Sequence, residues 1–129
     1  MPKEILIVDD EPGVVVPIQS LMEQQGYLVM IAERGEDALD LIYQYKPDLV
    51  LLDIMLPGID GYEVCEIVRL NANFRDVKIV FLTAKGREAE IAKGLALGAD
   101  AYITKPFSNA ALVAKVKELL EKTYEKGRR

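Results

Sequence analysis

The sequence predicts an α/β domain: a doubly wound parallel sheet of five strands in the order 2-1-3-4-5, with five helices in three α/β/α layers. Three observations carry this. Five short apolar runs are continuous instead of alternating, as expected for parallel strands covered on both faces. Segments with helical spacing separate them, and β-α units in series build an open parallel sheet with helices on both sides. Right-handed crossovers then leave few arrangements, of which 2-1-3-4-5 is the commonest.

EILIVD (4–9) reads as the first strand. Residues 13–25 follow with Val14, Ile18, Leu21 and Met22 on one helical face, and Gly26 stands where that helix would end. Pro17 falls inside it, removing a backbone donor and crowding the previous turn. Either the helix starts late, with Pro17 in its first turn, or it bends; the Val14–Ile18 spacing favours a bend. YLVMI (27–31) is the second strand, and residues 36–45 carry Ala38, Leu41, Ile42 and Tyr45 at helical intervals. Pro47 stops that helix before the third strand, DLVLLD (48–53). Residues 61–70 place Val64, Cys65, Ile67 and Val68 on one face before VKIVFLT (77–83), the fourth strand. Residues 86–97 carry Ala89, Ala92, Leu95 and Ala96, Gly98 ends the helix, and AYIT (101–104) is the fifth strand. The last helix, 108–125, is the clearest: Ser108 is an N-cap, and Leu112, Val116, Leu119 and Leu120 recur at helical spacing. One domain over 1–122 and a polar tail over 123–129, expected to fray, account for the chain. No Pro- or Gln-rich linker leads into a second domain, which favours a stand-alone unit.

Half of the 129 residues are apolar and 29% are charged, which is globular composition. A net charge of −5 argues against a nucleic-acid surface. No apolar run is long enough to cross a bilayer, and no signal-peptide pattern precedes Ile5. The single cysteine, Cys65, rules out an internal disulfide, fits a reducing cytoplasmic setting and reads as a small core residue. There is no histidine, which excludes His-based triads, His-ligated zinc and phosphohistidine within this chain.

The run ILIVDDE (5–11) ends in three acids, Asp9, Asp10 and Glu11. Like charges repel, and partial burial raises the cost of ionising them together. Their positive partner must be Lys, Arg or a hard cation. The same sheet edge collects Asp53 from strand 3, Thr83 from strand 4 and Lys105 just after strand 5. Taken singly, each of these groups is a common cap, turn residue or solvated charge. Together they lie outside the carboxyl ends of the strands at the topological switch point, where ligands bind in such sheets. Three carboxylates make a hard, all-oxygen site of the kind Mg²⁺ prefers. Phosphoryl transfer is mostly positioning and charge neutralisation, which a cation and a lysine on either side of a phosphoryl group would provide. The residues alone leave the choice of nucleophile open; Asp53 is favoured because its strand is the middle one of the set.

IVDDEPG, LLDIMLPGIDGYEV, FLTAKG and LGADAYITKPF, in this order and spacing, resemble the receiver domain of bacterial two-component response regulators (CheY-like) from about Lys3 to about Leu120. That family is itself a standard example of the 2-1-3-4-5 order, within the flavodoxin-like architecture. The resemblance implies a phosphorylation-activated switch, not an enzyme beyond its own phosphorylation and dephosphorylation. Asp53 would accept the phosphoryl group from the phosphohistidine of a histidine kinase or phosphotransfer protein. Asp10 matches the direct Mg²⁺ ligand, Asp9 the acid acting through metal-bound water, and Met55 the position whose backbone carbonyl joins Asp53 in the metal site. Lys105 matches the lysine that pairs with phosphoryl oxygens, Thr83 the hydroxyl that moves toward them, and Tyr102 the aromatic switch residue that turns inward. The Lys105–Pro106 peptide is cis in the family. Ala84 is small and leaves the phosphoryl group accessible, while Met55 and Lys85 offer no carboxylate or amide to orient water, so slow to moderate self-dephosphorylation is expected.

Ala101, Ala111, Lys115 and Lys122 depart from the charge pattern of receivers joined to winged-helix domains. This weakens the expectation of that subfamily's charge-paired dimer, and leaves open another phosphorylation-dependent homodimer; the output partner is unspecified. Other readings are a phosphorylation-independent binding module, an aspartate-nucleophile phosphatase of the haloacid-dehalogenase type, and a flavodoxin-like FMN carrier. The phosphatase would need Asp-x-Asp after the first strand, and DEPGVVV (10–16) lacks the Ser/Thr/Gly-rich loop of the flavin carrier.

Overall fold

A computed structural model describes the backbone of residues 2–127 and the side chains of residues 2–121. Its elements are β1 (Glu4–Val8), α1 (Pro12–Gln24), β2 (Leu28–Ala32), α2 (Gly35–Tyr45), β3 (Leu49–Leu52), α3 (Gly61–Leu70), a 3₁₀ turn (Ala72–Phe74), β4 (Lys78–Thr83), α4 (Glu88–Ala96), β5 (Ala101–Thr104) and α5 (Asn109–Gly127). The sheet is parallel throughout and ordered β2-β1-β3-β4-β5, as the sequence predicts.

Alternate residues of the central strands feed two separate cores, which is why their apolar runs are unbroken. Ile5, Ile7, Leu49, Leu51, Val80 and Leu82 face α1 and α5, where Ile18, Met22, Leu112 and Val116 are buried. Leu6, Val8, Val50, Leu52, Ile79 and Phe81 face the opposite layer, with Ala38, Ile42, Val64, Cys65 and Val68. The register sets Val8 beside Leu52, Leu52 beside Phe81 and Phe81 beside Tyr102. The carboxyl ends of β1, β3, β4 and β5 therefore finish close to one level.

Several local expectations are corrected. β2 lies one residue later than expected, so that Ala32 pairs with Val8, and as an edge strand it leaves Leu28 53% exposed. The disfavoured late start of α1 is excluded: the helix begins at Pro12, whose fixed φ suits the first helical position, and carries Pro17 in its interior, in keeping with the Val14–Ile18 spacing. Pro17 and Gly13 are both exposed, so water can serve the carbonyl that Pro17 has no N–H to reach. Within that helix Val15, not Val14, joins Ile18 and Met22 in the fully buried set. Tyr45 and Ile67 are exposed at the margins of their helical faces.

The largest correction is α4, where Ala89, Ala92, Leu95 and Ala96 all face solvent and the buried residue is Gly94. A Cβ at Gly94 would lie 3.0 Å from ring atoms of both Phe81 and Tyr102. The helix packs backbone-first on two aromatic rings, so its inward face is marked by the absence of a side chain. Ser108 caps α5 as expected, its Oγ accepting from the amide of Ala111 at 3.0 Å. Of the polar tail, residues 123–127 continue the helical backbone, while their side chains, that of Lys122, and all of Arg128 and Arg129 lie outside the described residues.

Candidate functional site

Each central strand ladder runs one residue past its strand. The amide of Asp9 donates to the carbonyl of Ala32 (3.1 Å), that of Asp53 to Val8 (3.0 Å) and that of Lys105 to Thr83 (2.8 Å). Backbone pairing thus fixes the three charged residues at the same edge. Asp9, Asp53 and Thr83 are buried, with 3%, 6% and 0% exposure, and Asp10 is exposed.

Lys105 joins the two buried acids. Its Nζ lies 2.9 Å from Asp9 Oδ2 and 3.4 Å from Asp53 Oδ2, and its side chain is 18% exposed. Burial works against the ammonium, but the hydrogen bond to Asp9 and the charges of Asp53 and Asp9 outweigh it and raise its pKa. The remaining carboxylate oxygens are also engaged: Asp9 Oδ1 accepts from the Glu11 amide at 3.0 Å, and Asp53 Oδ1 from the Met55 amide at 3.3 Å. Gly61 lets the start of α3 press against the backbone that carries Asp53, since a Cβ there would collide with the Asp53 carbonyl oxygen. The Lys105–Pro106 peptide is cis.

Asp9, Asp10 and Glu11 each offer a carboxylate oxygen within 4.8 Å of the others. This donor set is all oxygen, carries three negative charges and includes one buried member, chemistry that fits a hard divalent cation. Asp53 approaches the set through Lys105, whose ammonium bridges it to Asp9. Glu11 belongs to the acid cluster although the sequence points to Asp9, Asp10 and Asp53; its proximity depends on how the chain turns into α1.

Thr83 and Tyr102 meet at one residue, Lys85. Thr83 Oγ1 accepts from the Lys85 amide at 3.3 Å, and the Tyr102 hydroxyl donates to the Lys85 carbonyl. Burial, followed by the neighbouring Tyr62, raises the Tyr102 pKa. The Lys85 ammonium is drawn to Glu90 Oε2 at 3.5 Å, and the Tyr62 hydroxyl donates to the Glu90 carbonyl at 3.1 Å. The Phe81 ring packs against both tyrosines, 5.6 Å from the Tyr62 ring and 5.7 Å from Tyr102. Tyr62 and Glu90 carry no sequence signal for this role, because their contacts run between separate helices. An open groove of about 390 Å³ beside Asp53 is lined by Ile54, Met55, Leu56, Asp60 and Lys85, and Ala84 is exposed nearby.

On β5 and α5, Ala101 is part of the buried core, Ala111 is exposed and Lys115 pairs with Glu118 at 3.2 Å. Among the described residues no helix is long and apolar enough to cross a membrane.

The family model of the response regulator receiver domain matches residues 5–117. The structure of a provisionally assigned response regulator from Chloroflexus aurantiacus J-10-fl is 39% identical with a TM-score of 0.89, covering 94% of this chain and 99% of the other. The BeF₃-activated N-terminal receiver domain of Klebsiella pneumoniae RstA is 36% identical, TM-score 0.86, with 92% of this chain and 98% of the other covered. A CheY-like response regulator receiver domain protein from Methanospirillum hungatei JF-1 is 32% identical, TM-score 0.91, with 98% and 99% covered.

Proposed function

The chain belongs to the response regulator receiver domain family, the phosphorylation-activated signalling modules of two-component systems, and we propose that its acid site carries out that switching with Asp53 as phosphoacceptor. The observation that carries this is the Lys105 ammonium set between two buried carboxylates, Asp9 at 2.9 Å and Asp53 at 3.4 Å. Two carboxylates face one ammonium, so the pair keeps a net negative charge that a cation can neutralise.

Receiver domains generally bind Mg²⁺ at an acidic pocket, and here Asp10 and Asp9, with Asp53 and the Met55 backbone carbonyl, would hold it. Glu11 lies close enough to contribute through water. The ion supplies charge neutralisation to the phosphoryl oxygens. In the transfer, an Asp53 carboxylate oxygen forms the new bond to phosphorus as the bond to the donor imidazole nitrogen breaks, and that nitrogen keeps the electron pair. The imidazole comes from a histidine kinase or phosphotransfer protein, since this chain has no histidine.

Lys105 keeps one charge through the reaction and exchanges a carboxylate partner for a phosphoryl oxygen. Thr83 then turns its hydroxyl from the Lys85 amide toward the phosphoryl group, which loosens the residue whose carbonyl holds Tyr102. Partner binding changes through the resulting shift of α4 and β5. Met55 and Lys85 cannot position water as an acid or amide could, and Glu90 draws the Lys85 ammonium to its own carboxylate, so the aspartyl phosphate decays slowly to moderately.

Intact mass after incubation with acetyl phosphate, with and without Mg²⁺, tests this beside Asp53→Ala. One phosphoryl adduct that requires both Mg²⁺ and Asp53 is the expected result. A folded protein with no adduct under any condition would instead be a phosphorylation-independent binding module.

A further inference from the structure

The loop that leaves β3 immediately after Asp53 is fastened at both ends. The Ile54 carbonyl accepts from the amides of Leu56 (3.1 Å) and Gly61 (2.9 Å). Its middle is fastened by another element: Glu36, in the first turn of α2, accepts from the Ile59 amide at 3.3 Å through Oε1. Oε2 of the same carboxylate faces Arg34 Nη2 at 3.3 Å.

Two glycines allow this approach. Gly58 has φ +76°, and a Cβ there would lie 2.5 Å from both Glu36 carboxylate oxygens. Gly35 is buried, and a Cβ on it would lie 2.5 Å from the Ile59 Cγ1 and carbonyl oxygen. Glu36's own amide, then the Ile59 amide, hold its carboxyl below the usual carboxylate range.

The Glu36 side chain is 48% exposed, so its hydrogen bond contributes little to global stability. Its effect is local. Met55 lies between the anchored Ile54 and the clamped Ile59, and a divalent-cation site tolerates little displacement of a ligand.

We propose that Glu36 is a positioning residue for the acid site, clamping the β3–α3 loop so that the Met55 backbone carbonyl is held for the divalent cation. This rests on the receiver reading given above.

The test is Mg²⁺ titration calorimetry on the whole chain as wild type, Glu36→Gln, Glu36→Ala and Gly58→Ala, with thermal midpoints and acetyl phosphate rates across Mg²⁺ concentration. Glu36→Ala should weaken Mg²⁺ binding by about threefold to tenfold, at or below the range for outer-shell groups. Its phosphorylation rate should return to about the wild-type value at saturating Mg²⁺, the pattern of lost cation binding with the chemistry intact. Glu36→Gln keeps an acceptor oxygen and should stay within about twofold of wild type. Gly58→Ala should weaken binding as well, and its effect should shrink in the Glu36→Ala background, where the added methyl no longer meets a carboxylate. Unchanged Mg²⁺ affinity in folded Glu36→Ala, with or without a lower midpoint, overturns the proposal. A wild type that binds no Mg²⁺ overturns the receiver reading itself, a separate result.

Discussion

The Lys105 ammonium sits 2.9 Å from Asp9 Oδ2, nearer than its 3.4 Å approach to Asp53. A cation entering beside Asp9 therefore competes with the lysine for that carboxylate. Lys105→Met removes the competing charge and should strengthen Mg²⁺ binding, on the order of tenfold or less for charges a few ångströms apart near a wet surface. The same variant should be phosphorylated more slowly, because nothing replaces the ammonium at the phosphoryl oxygens. Mg²⁺ titration with acetyl phosphate kinetics reads both effects. Weaker Mg²⁺ binding in this variant would show that the lysine organises the acids instead of competing for them.

The pH dependence of that pair has a definite sign. The folded pKa of Lys105 is raised, so its stabilisation is fully present below the unfolded value of about 10.4 and is lost as pH rises through the folded value. The difference in stability between wild type and Lys105→Met should be constant from neutral pH to about pH 10 and change above it. Urea unfolding across that interval measures it; a change centred near neutrality would contradict this assignment.

Thr83 and Tyr102 act on opposite ends of one residue, the amide and the carbonyl of Lys85. Thr83→Ala and Tyr102→Phe should each cost about 1 kcal/mol, the usual net value of one hydrogen bond. Because both hold the same segment, the double variant should cost less than the sum by about 0.5 kcal/mol or more. In the phosphorylated protein, Thr83→Ala should also abolish the change in amide exchange expected over α4. Strict additivity and an unaltered exchange pattern would separate the two residues.

Arg69 ties three segments beneath α4. It donates to the carbonyls of Gly98 and Val77, both at 2.8 Å, and pairs with Asp100 Oδ2 at 2.9 Å. That Asp100 oxygen also accepts from the Ile79 amide. Arg69→Met should destabilise the fold by about 2–3 kcal/mol, since it strips donors from partly buried acceptors. Arg69→Lys should recover only part, because an ammonium cannot span the same carbonyls. Denaturant midpoints decide this.

Burial pushes the Cys65 thiol up to about 11 from a usual 9.0, with Arg69 pulling the other way. The folded protein should react negligibly with thiol reagents at pH 8, and readily once unfolded. Stability should fall as pH rises from about 9 to about 11, because the unfolded thiol ionises first. Cys65→Ala should remove that component of the alkaline loss. Fast modification of the native protein would mean that α3 opens.

Sheet order, the buried face of α5, that of α3 apart from Ile67, and the meeting of Asp9, Asp53, Thr83 and Lys105 at one edge were legible in the sequence. Apolar runs and helical spacing are local properties, and strand ends inherit their level from backbone pairing. α4 was misread because its inward face is Gly94 against two rings, and periodicity registers side chains, not their absence. The Glu36 clamp joins residues 23 apart, and the Lys105–Asp9 pair joins residues 96 apart. Which acid holds the lysine, and which helix holds the loop after Asp53, are set by where whole elements pack. Only the tertiary structure decides those contacts, because their free energy depends on distances between segments that no local pattern encodes.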